Sequence, residues 1–317
     1  MASHHHPHDE DHGPHGGHHH SNGHAPSSFG KAFLIGIALN TTFVVAEWFF
    51  GLAAHSLALL ADAAHNLGDV LGLLLAWGAV LLSRRKPDAR YTYGLRGTSI
   101  WAALINAVAL LLITGGLAWE AIQRLTTPQP VQGSVVIAVA LIGVLVNGVT
   151  AWLFMSGSKS DLNVRGAYLH MAADAAISLV VAVAGAVVIL TGWLWLDPLL
   201  TLVVAMVIVW GTWGLLKQSL RLALHAVPST IDAFQVRTYL ADLPGVVQVH
   251  DLHIWAMSTT ENALTAHLVM PGGHPGDGLL HTASREIERR FGIHHVTLQV
   301  EVSDTELACA LAPDHVV

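Results

Sequence analysis

Long apolar segments alternate with short polar connections over the first two thirds of the chain. Six of them approach or exceed the length of about 20 residues that an α-helix needs to cross a bilayer. They lie near residues 33–53, 57–83, 98–119, 134–155, 166–190 and 196–216. The pattern therefore predicts a six-helix transmembrane domain, which we bound at residues 31–220.

The periodicity changes after about residue 220, where shorter amphipathic segments begin. They predict a helix, two strands, a second helix and a third strand, at 231–243, 246–255, 263–270, 277–291 and 295–302. The first strand changes its apolar parity between Val249 and Leu252, so a β-bulge is possible there. This αββαβ order predicts a small cytoplasmic domain over residues 221–303, followed by a tail over 304–317.

The first 30 residues form a separate low-complexity region, with ten His within positions 1–24. Such a composition cannot bury a core, so we expect a disordered tail. The tail can bind divalent transition metals weakly at several positions. Its role stays open between a cytoplasmic metal collector and an accessory segment with incidental affinity.

Composition agrees with an integral membrane protein, because 53% of the 317 residues are hydrophobic and only 12% are charged. The only cysteine, Cys309, excludes an internal disulfide and a thiolate zinc finger. The formal net charge is −7, and no basic patch indicates nucleic-acid binding. Five basic residues lie at 84–96, whereas the three opposite connections hold only Arg124, so the positive-inside rule places both termini in the cytoplasm.

Two His/Asp pairs lie within the predicted helices. His65 and Asp69 are four residues apart in the second helix, and His170 and Asp174 are four apart in the fifth. This step puts both members of a pair on one helix face, and each Asp costs about 2.5–3.5 kcal/mol in hydrocarbon. Two imidazoles and two carboxylates suit zinc better than calcium or magnesium. Because metal and protons compete for the same atoms, the pairs predict a proton-coupled transport site.

Other polar residues within the predicted helices have less specific interpretations. Asp62, three residues before His65, is a candidate for orienting a metal ligand or for forming part of an access path, and Glu47 is a weaker candidate for proton relay. For Asn40, Asn106 and Asn147 we expect hydrogen bonding between helices.

Four motifs, in order along the chain, resemble the cation diffusion facilitator family. Residues 56–69 match its second-helix motif, and residues 161–174 resemble its fifth-helix motif. Residues 192–198 resemble the turn into its sixth helix, and residues 250–255 resemble the start of its cytoplasmic domain. The similarity covers about residues 31–303.

The resemblance implies a homodimeric exporter in the bacterial inner membrane that exchanges zinc for protons by alternating access. Cadmium and cobalt are often tolerated by relatives with a His-Asp-His-Asp set, whereas Asp in place of the first His goes with manganese or iron. No cofactor is required: zinc is the transported and regulatory ion, and the other partners are protons and membrane lipid. A membrane metal sensor is the alternative. A metalloenzyme is disfavoured, because four protein ligands leave no open metal position.

The resemblance also implies a metallochaperone-like cytoplasmic domain that binds further metal and stabilises the dimer. The positions that resemble its ligands are His250, His267, His294 and Glu301. His225 stands where many relatives have an acidic residue, so it is either a ligand or a linker residue. His253 is an alternative ligand, although a regular strand would point it to the face opposite His250.

Overall fold

Six long helices form the first part of the molecule. The computed structural model describes residues 31–83, 85–155, 162–302, 309 and 311. Helices α2 to α6 are each long and apolar enough to cross a membrane, and α1 precedes them. The predicted helical membrane domain is therefore confirmed, with helix bounds of Lys31–Ala53 (α1), Leu57–Ser83 (α2), Thr98–Thr126 (α3), Gly133–Met155 (α4), Leu162–Thr191 (α5) and Leu196–Ala223 (α6).

Small residues line the contacts between these helices. Helix α4 packs along α5 and α3 packs along α6, while α2 contacts both pairs. Where α4 packs against α5, a Cβ on Gly133 would lie 2.9 Å from the carbonyl oxygen of Gly185. Large side chains such as Leu190 and Trp210 instead face outward. This distribution is typical of helices that associate in lipid, where close backbone packing replaces a hydrophobic driving force.

The N-terminus of α2 is capped by a side chain from another helix. The carboxylate of Asp197, at the start of α6, accepts hydrogen bonds from the Ser56 hydroxyl and from the backbone N–H groups of Leu57 (2.9 Å) and Ala58 (3.4 Å). A negative charge at this position also complements the positive end of the helix dipole. We call this group the Asp197 anchor, because it fixes the start of α2 to the start of α6.

A three-stranded sheet with two helices forms the second part. The elements are α7 (Ala233–Ala241), β1 (Gln248–Ala256), β2 (Asn262–Val269), α8 (Asp277–Phe291) and β3 (His295–Glu301). Strand β2 is central, antiparallel to β1 and parallel to β3. Both helices contribute side chains, such as Leu240 and Ile287, to one apolar core on the inner face of the sheet. The predicted αββαβ fold is confirmed.

A β-bulge interrupts β1 at the position where the sequence parity changes. His250 pairs with His267 and His253 pairs with Thr265, so three steps on β1 correspond to two on β2. Asp251 within the bulge has a φ of 48°, which is uncommon for a residue other than glycine. The extra residue brings His250 and His253 to the same face of the sheet, so the expectation of opposite faces is wrong.

The turn between β1 and β2 contacts the start of α3. Arg96 Nη1 lies 2.6 Å from Glu261 Oε2, and the backbone N–H of Thr259 donates to Ser99 Oγ at 3.1 Å. The Tyr93 ring also meets the His295 ring edge-to-face. These contacts join the sheet domain to the connection between α2 and α3.

Candidate metal centres

The two His/Asp pairs meet where α2 faces α5. Each pair lies on one face of its helix, as the four-residue step requires. Because the two helices are antiparallel, the order of the pairs is reversed across the contact. His65 therefore faces Asp174, and Asp69 faces His170. The structure brings together all four residues predicted for the transport site, and we call this group the intramembrane tetrad.

The distances within the tetrad suit one tetrahedral ion. His65 Nε2 lies 3.2 Å from Asp174 Oδ1, and His170 Nε2 lies 3.0 Å from Asp69 Oδ2. Within each helix the corresponding separations are 4.0 Å and 3.7 Å. Zinc bound at about 2.0–2.1 Å holds neighbouring tetrahedral ligands about 3.3 Å apart. One ligand atom from each residue lies within 4.8 Å of the others, so small side-chain movements could close a complete shell.

The tetrad is buried on one side and accessible on the other. The Asp174 side chain is 1% exposed, whereas that of His170 is 40% exposed. A buried carboxylate oxygen of Asp174, Oδ2, has no hydrogen-bond partner among the described residues. An unsatisfied buried carboxylate is unfavourable, so this oxygen is well suited to bind a cation or a proton.

The neighbouring acidic residues do not point into the tetrad. Asp62 accepts a hydrogen bond from Ser178 Oγ at 2.9 Å, and Asn66 Nδ2 donates to Glu47 Oε2 at 3.3 Å. The Asp62–Ser178 bond links α2 to α5 one turn from the tetrad, which fits a positioning role for Asp62.

The intramembrane asparagines behave differently from one another. Asn106 Nδ2 donates to the Gly68 carbonyl at 3.3 Å, so α3 and α2 are hydrogen-bonded as expected. Asn147 is buried, and neither polar atom of its side chain has a hydrogen-bond partner among the described residues. Asn40 Oδ1 is likewise buried without such a partner in the part of the chain that the structure describes.

A second group of metal-binding side chains lies on the open face of the sheet. His250 Nε2 and His267 Nδ1 lie 3.3 Å and 3.0 Å from the same oxygen, Glu301 Oε1. His250 is 2% exposed, and neither ring nitrogen has a hydrogen bond of good geometry within the described residues. Two imidazoles that converge on one carboxylate fit a zinc ion. Three of the four predicted cytoplasmic ligands are therefore brought together.

The fourth predicted ligand, His294, is not part of this group, and the structure brings a different candidate donor to it. His294 precedes β3, whereas Glu301 ends it, so the length of the strand separates them. Instead, Cys309 Sγ lies 3.6 Å from His267 Nδ1 and joins His250, His267 and Glu301 in one group, which we call the cytoplasmic cluster. One indication of this role was present in the sequence, because Cys309 is the only cysteine in the chain.

The two histidines whose roles stayed open line one groove. His225 follows α6 with a φ of 56°, and it borders this groove together with His253 and Trp255. His253 Nε2 lies 2.7 Å from Asp251 Oδ1, so it is paired within the bulge rather than with His250.

The fold and the two groups define a class of protein. It is a helical membrane protein with a group of imidazole and carboxylate donors between its helices, and it carries a separate αββαβ domain with a second group of such donors. Residues 33–222 match the cation efflux transmembrane domain, and residues 228–303 match the cytoplasmic domain of cation efflux proteins. The chain belongs to the cation efflux family, also called the cation diffusion facilitators.

Well-described bacterial relatives resemble the chain over most of its length. The zinc transporter ZitB of Pectobacterium atrosepticum is 38% identical, over 89% of this chain and 88% of the relative. The cadmium, cobalt and zinc/H(+)-K(+) antiporter of Bacillus subtilis is 34% identical, over 90% and 92%. The metal cation efflux system protein CzcD of Cupriavidus metallidurans is 36% identical, over 92% of both chains.

Proposed function

We propose that the protein exports zinc from the cytoplasm in exchange for protons, with His65, Asp69, His170 and Asp174 holding the transported ion. The observation that carries this proposal is the convergence of two imidazoles and two carboxylates between α2 and α5. The donor set favours zinc, the ion in the name of the relative ZitB, and cadmium or cobalt are further candidate cargoes, as the name of the Bacillus subtilis antiporter indicates for that protein.

Proton exchange follows from the charge of the tetrad. The two carboxylates can neutralise one Zn²⁺ or two protons carried by the imidazoles. Each imidazole lies beside the carboxylate of the other helix, at 3.2 Å and 3.0 Å. Zinc binding requires neutral imidazoles and ionised carboxylates, so protons and metal exclude each other. Proton binding from one side would therefore release zinc without leaving an unbalanced buried charge.

The remaining parts of the molecule are assigned in the same proposal. The membrane domain spans residues 31–220 with both termini in the cytoplasm, in a bacterial inner membrane. The cytoplasmic domain over 221–303 joins two copies into a homodimer and binds regulatory zinc, and residues 1–30 and 304–317 are tails. The protein catalyses no covalent reaction, since a four-ligand site leaves no position for activated water.

Transport in proteoliposomes tests this proposal against a sensor that binds metal without moving it. With equal zinc on both sides of the membrane, an acidic interior should drive zinc accumulation coupled to a rise of pH inside the vesicles. Reversing the pH gradient should reverse the direction of net zinc movement. Zinc binding without flux would refute the export function, and flux that is indifferent to pH would refute proton exchange.

A further inference from the structure

A third pair of side chains joins α2 to α5, next to the intramembrane tetrad. Asp62 lies three residues before His65 on α2, and Ser178 lies four residues after Asp174 on α5. Because the two helices are antiparallel, both positions are displaced from the tetrad toward the turn between α1 and α2. Ser178 Oγ donates a hydrogen bond to Asp62 Oδ2 at 2.9 Å. At 1.5 Å per residue, this bond lies about 5 Å along the helices from the nearest members of the tetrad.

The exposure of the facing pairs falls toward the α1–α2 turn. The side chains of Asp69 and His170 are 34% and 40% exposed, whereas those of His65 and Asp174 are 19% and 1% exposed. The third pair is fully buried. Beyond it, a cluster of buried apolar side chains from α2, α4 and α5 includes Ala58, Leu59, Val139, Ala140, Val181 and Ala182. The tetrad is therefore accessible at one end and closed at the end that faces the α1–α2 turn.

The backbone of α4 confines the hydroxyl of Ser178. A Cβ on Gly143 would lie 2.9 Å from Ser178 Oγ, so the glycine leaves the room in which the hydroxyl lies. The other carboxylate oxygen of Asp62, Oδ1, is buried and has no hydrogen-bond partner among the described residues. An unpaired buried carboxylate oxygen is unfavourable, and water that reached it would satisfy it. The closed arrangement therefore carries a cost that favours reopening.

We propose that the Asp62–Ser178 bond is a latch that closes the ion path between α2 and α5 on the side of the α1–α2 turn. The bond is the first contact beyond the tetrad, so α2 and α5 cannot separate at this level while it is intact. It opens when the tetrad exchanges an ion with that side, and neither residue binds the ion itself. This inference rests on the proposed export function, in which the α1–α2 turn lies on the outer face of the membrane.

The reactivity of a single cysteine tests the latch. The chain has one cysteine, so Cys309→Ser gives a cysteine-free protein in which Val181→Cys reports on the apolar cluster. In detergent, a small charged methanethiosulfonate should modify this reporter about tenfold faster after Ser178→Ala, because loss of a buried hydrogen bond raises the open population. Asp62→Ala should have a similar effect. Asp62→Asn keeps an acceptor oxygen, so its rate should stay within about twofold of the rate with Asp62.

Two controls separate opening of the path from general loosening of the helices. Thr201→Val removes a buried hydroxyl that donates to the Asp197 carbonyl of its own helix, and it should leave the reporter rate unchanged. A second reporter, Ala121→Cys on α3, is also buried and should react no faster after Ser178→Ala. The latch is overturned if Ser178→Ala leaves the Val181→Cys rate unchanged, or if either control changes as much as that rate.

Proton leak shows whether the latch closes an ion path or only a contact between helices. In zinc-free proteoliposomes with an imposed pH gradient, Ser178→Ala should dissipate the gradient at least about threefold faster than Thr201→Val, because the tetrad becomes accessible from both sides. Equal rates would overturn the assignment to the ion path. Neither measurement requires zinc flux, so the latch can fail while export stands, and export can fail while the latch stands.

Discussion

The intramembrane tetrad and the cytoplasmic cluster use similar donors on very different supports. The tetrad takes its four donor side chains from two helices, and hydrogen bonds such as Ser178 to Asp62 join these helices nearby. The cytoplasmic cluster takes three of its four donor side chains from three neighbouring strands, which two ladders of backbone hydrogen bonds join. Helices can shift relative to each other without breaking their own backbone bonds, whereas neighbouring strands cannot.

This difference indicates different tasks for similar chemistry. Ligands on separate helices can be brought together and parted, which is what a site that takes up and releases an ion needs. Ligands on a hydrogen-bonded sheet keep their spacing, which suits retention of an ion. The partial exposure of His65 and His170 in the tetrad, against the burial of His250 in the cluster, agrees with this distinction.

The largest expected effect is on zinc flux, and it distinguishes the intramembrane tetrad from the cytoplasmic cluster. Asp174→Ala should reduce zinc flux in proteoliposomes at least about 100-fold, because it removes half of the charge that balances the ion. His250→Ala should keep flux within about tenfold of wild type. Asp242→Ala, an exposed carboxylate at the end of α7, serves as the control for removal of an Asp. Equal loss of zinc flux in the Asp174 and His250 variants would contradict the proposal that the tetrad moves the ion and the cytoplasmic cluster retains one.

Metal choice should depend on the tetrad and not on the cluster. His65→Asp replaces an imidazole with a carboxylate, and oxygen ligands favour manganese relative to zinc. We expect the ratio of manganese to zinc flux to rise about tenfold or more in this variant. The same replacement at His250 should leave the ratio unchanged. A shift of similar size in both variants would show that the cytoplasmic cluster also selects the cargo.

The thiolate of Cys309 should give the cytoplasmic cluster its own spectroscopic signature. With cobalt bound, the wild type should show a sulfur-to-metal charge-transfer band in the near ultraviolet, and Cys309→Ser should lack it. Zinc affinity of the cluster should fall roughly tenfold, or about 1.4 kcal/mol. His294→Ala, the ligand expected from sequence but placed elsewhere, should keep both the band and the affinity. A band that survives in Cys309→Ser would exclude the cysteine as a ligand.

The smallest effect concerns the ion pair between the two domains. Arg96 and Glu261 are both more than one third exposed, so their pair should contribute less than about 1 kcal/mol to stability. Arg96→Glu should lower the melting temperature by roughly 1–3 °C, and the charge swap with Glu261→Arg should restore it. Failure of the swap to restore the melting temperature would mean that the pair is not a direct contact in solution.

Sequence predicted the tetrad more completely than the cytoplasmic cluster, for a physical reason. A helix has a fixed period, so two residues four apart share a face whatever surrounds them. His65 and Asp69 could therefore be paired from spacing alone, as could His170 and Asp174. Which His meets which Asp depends on the packing of α2 against α5, and spacing within one helix does not contain that information.

In the sheet domain, spacing along the sequence does not predict which side chains meet. One inserted residue reverses the facing of every later side chain in a strand, so His253 was expected on the wrong face. The parity change had indicated a possible bulge, but not the side chains that it would bring together. The Asp251 carboxylate lies beside the imidazoles of His253 and His267, and no pattern in the sequence predicted that arrangement. Cys309 lies beyond β3, and its approach to His267 follows from no local pattern.

The Asp197 anchor fixes the N-terminal end of α2, so a tilt of the helix around that end displaces the residues farther along it. At 1.5 Å per residue, Asp69 lies about 18 Å along the helix axis from the anchored N–H of Leu57. A tilt of about 5° around that point would displace the Asp69 backbone by about 1.6 Å. Metal–ligand distances tolerate only about 0.2 Å, so this arm length converts a slight rotation into complete loss of coordination. In the proposed transport cycle, the Asp197 carboxylate would therefore set how little motion of α2 is needed to release the ion, although Asp197 is not one of the proposed ligands.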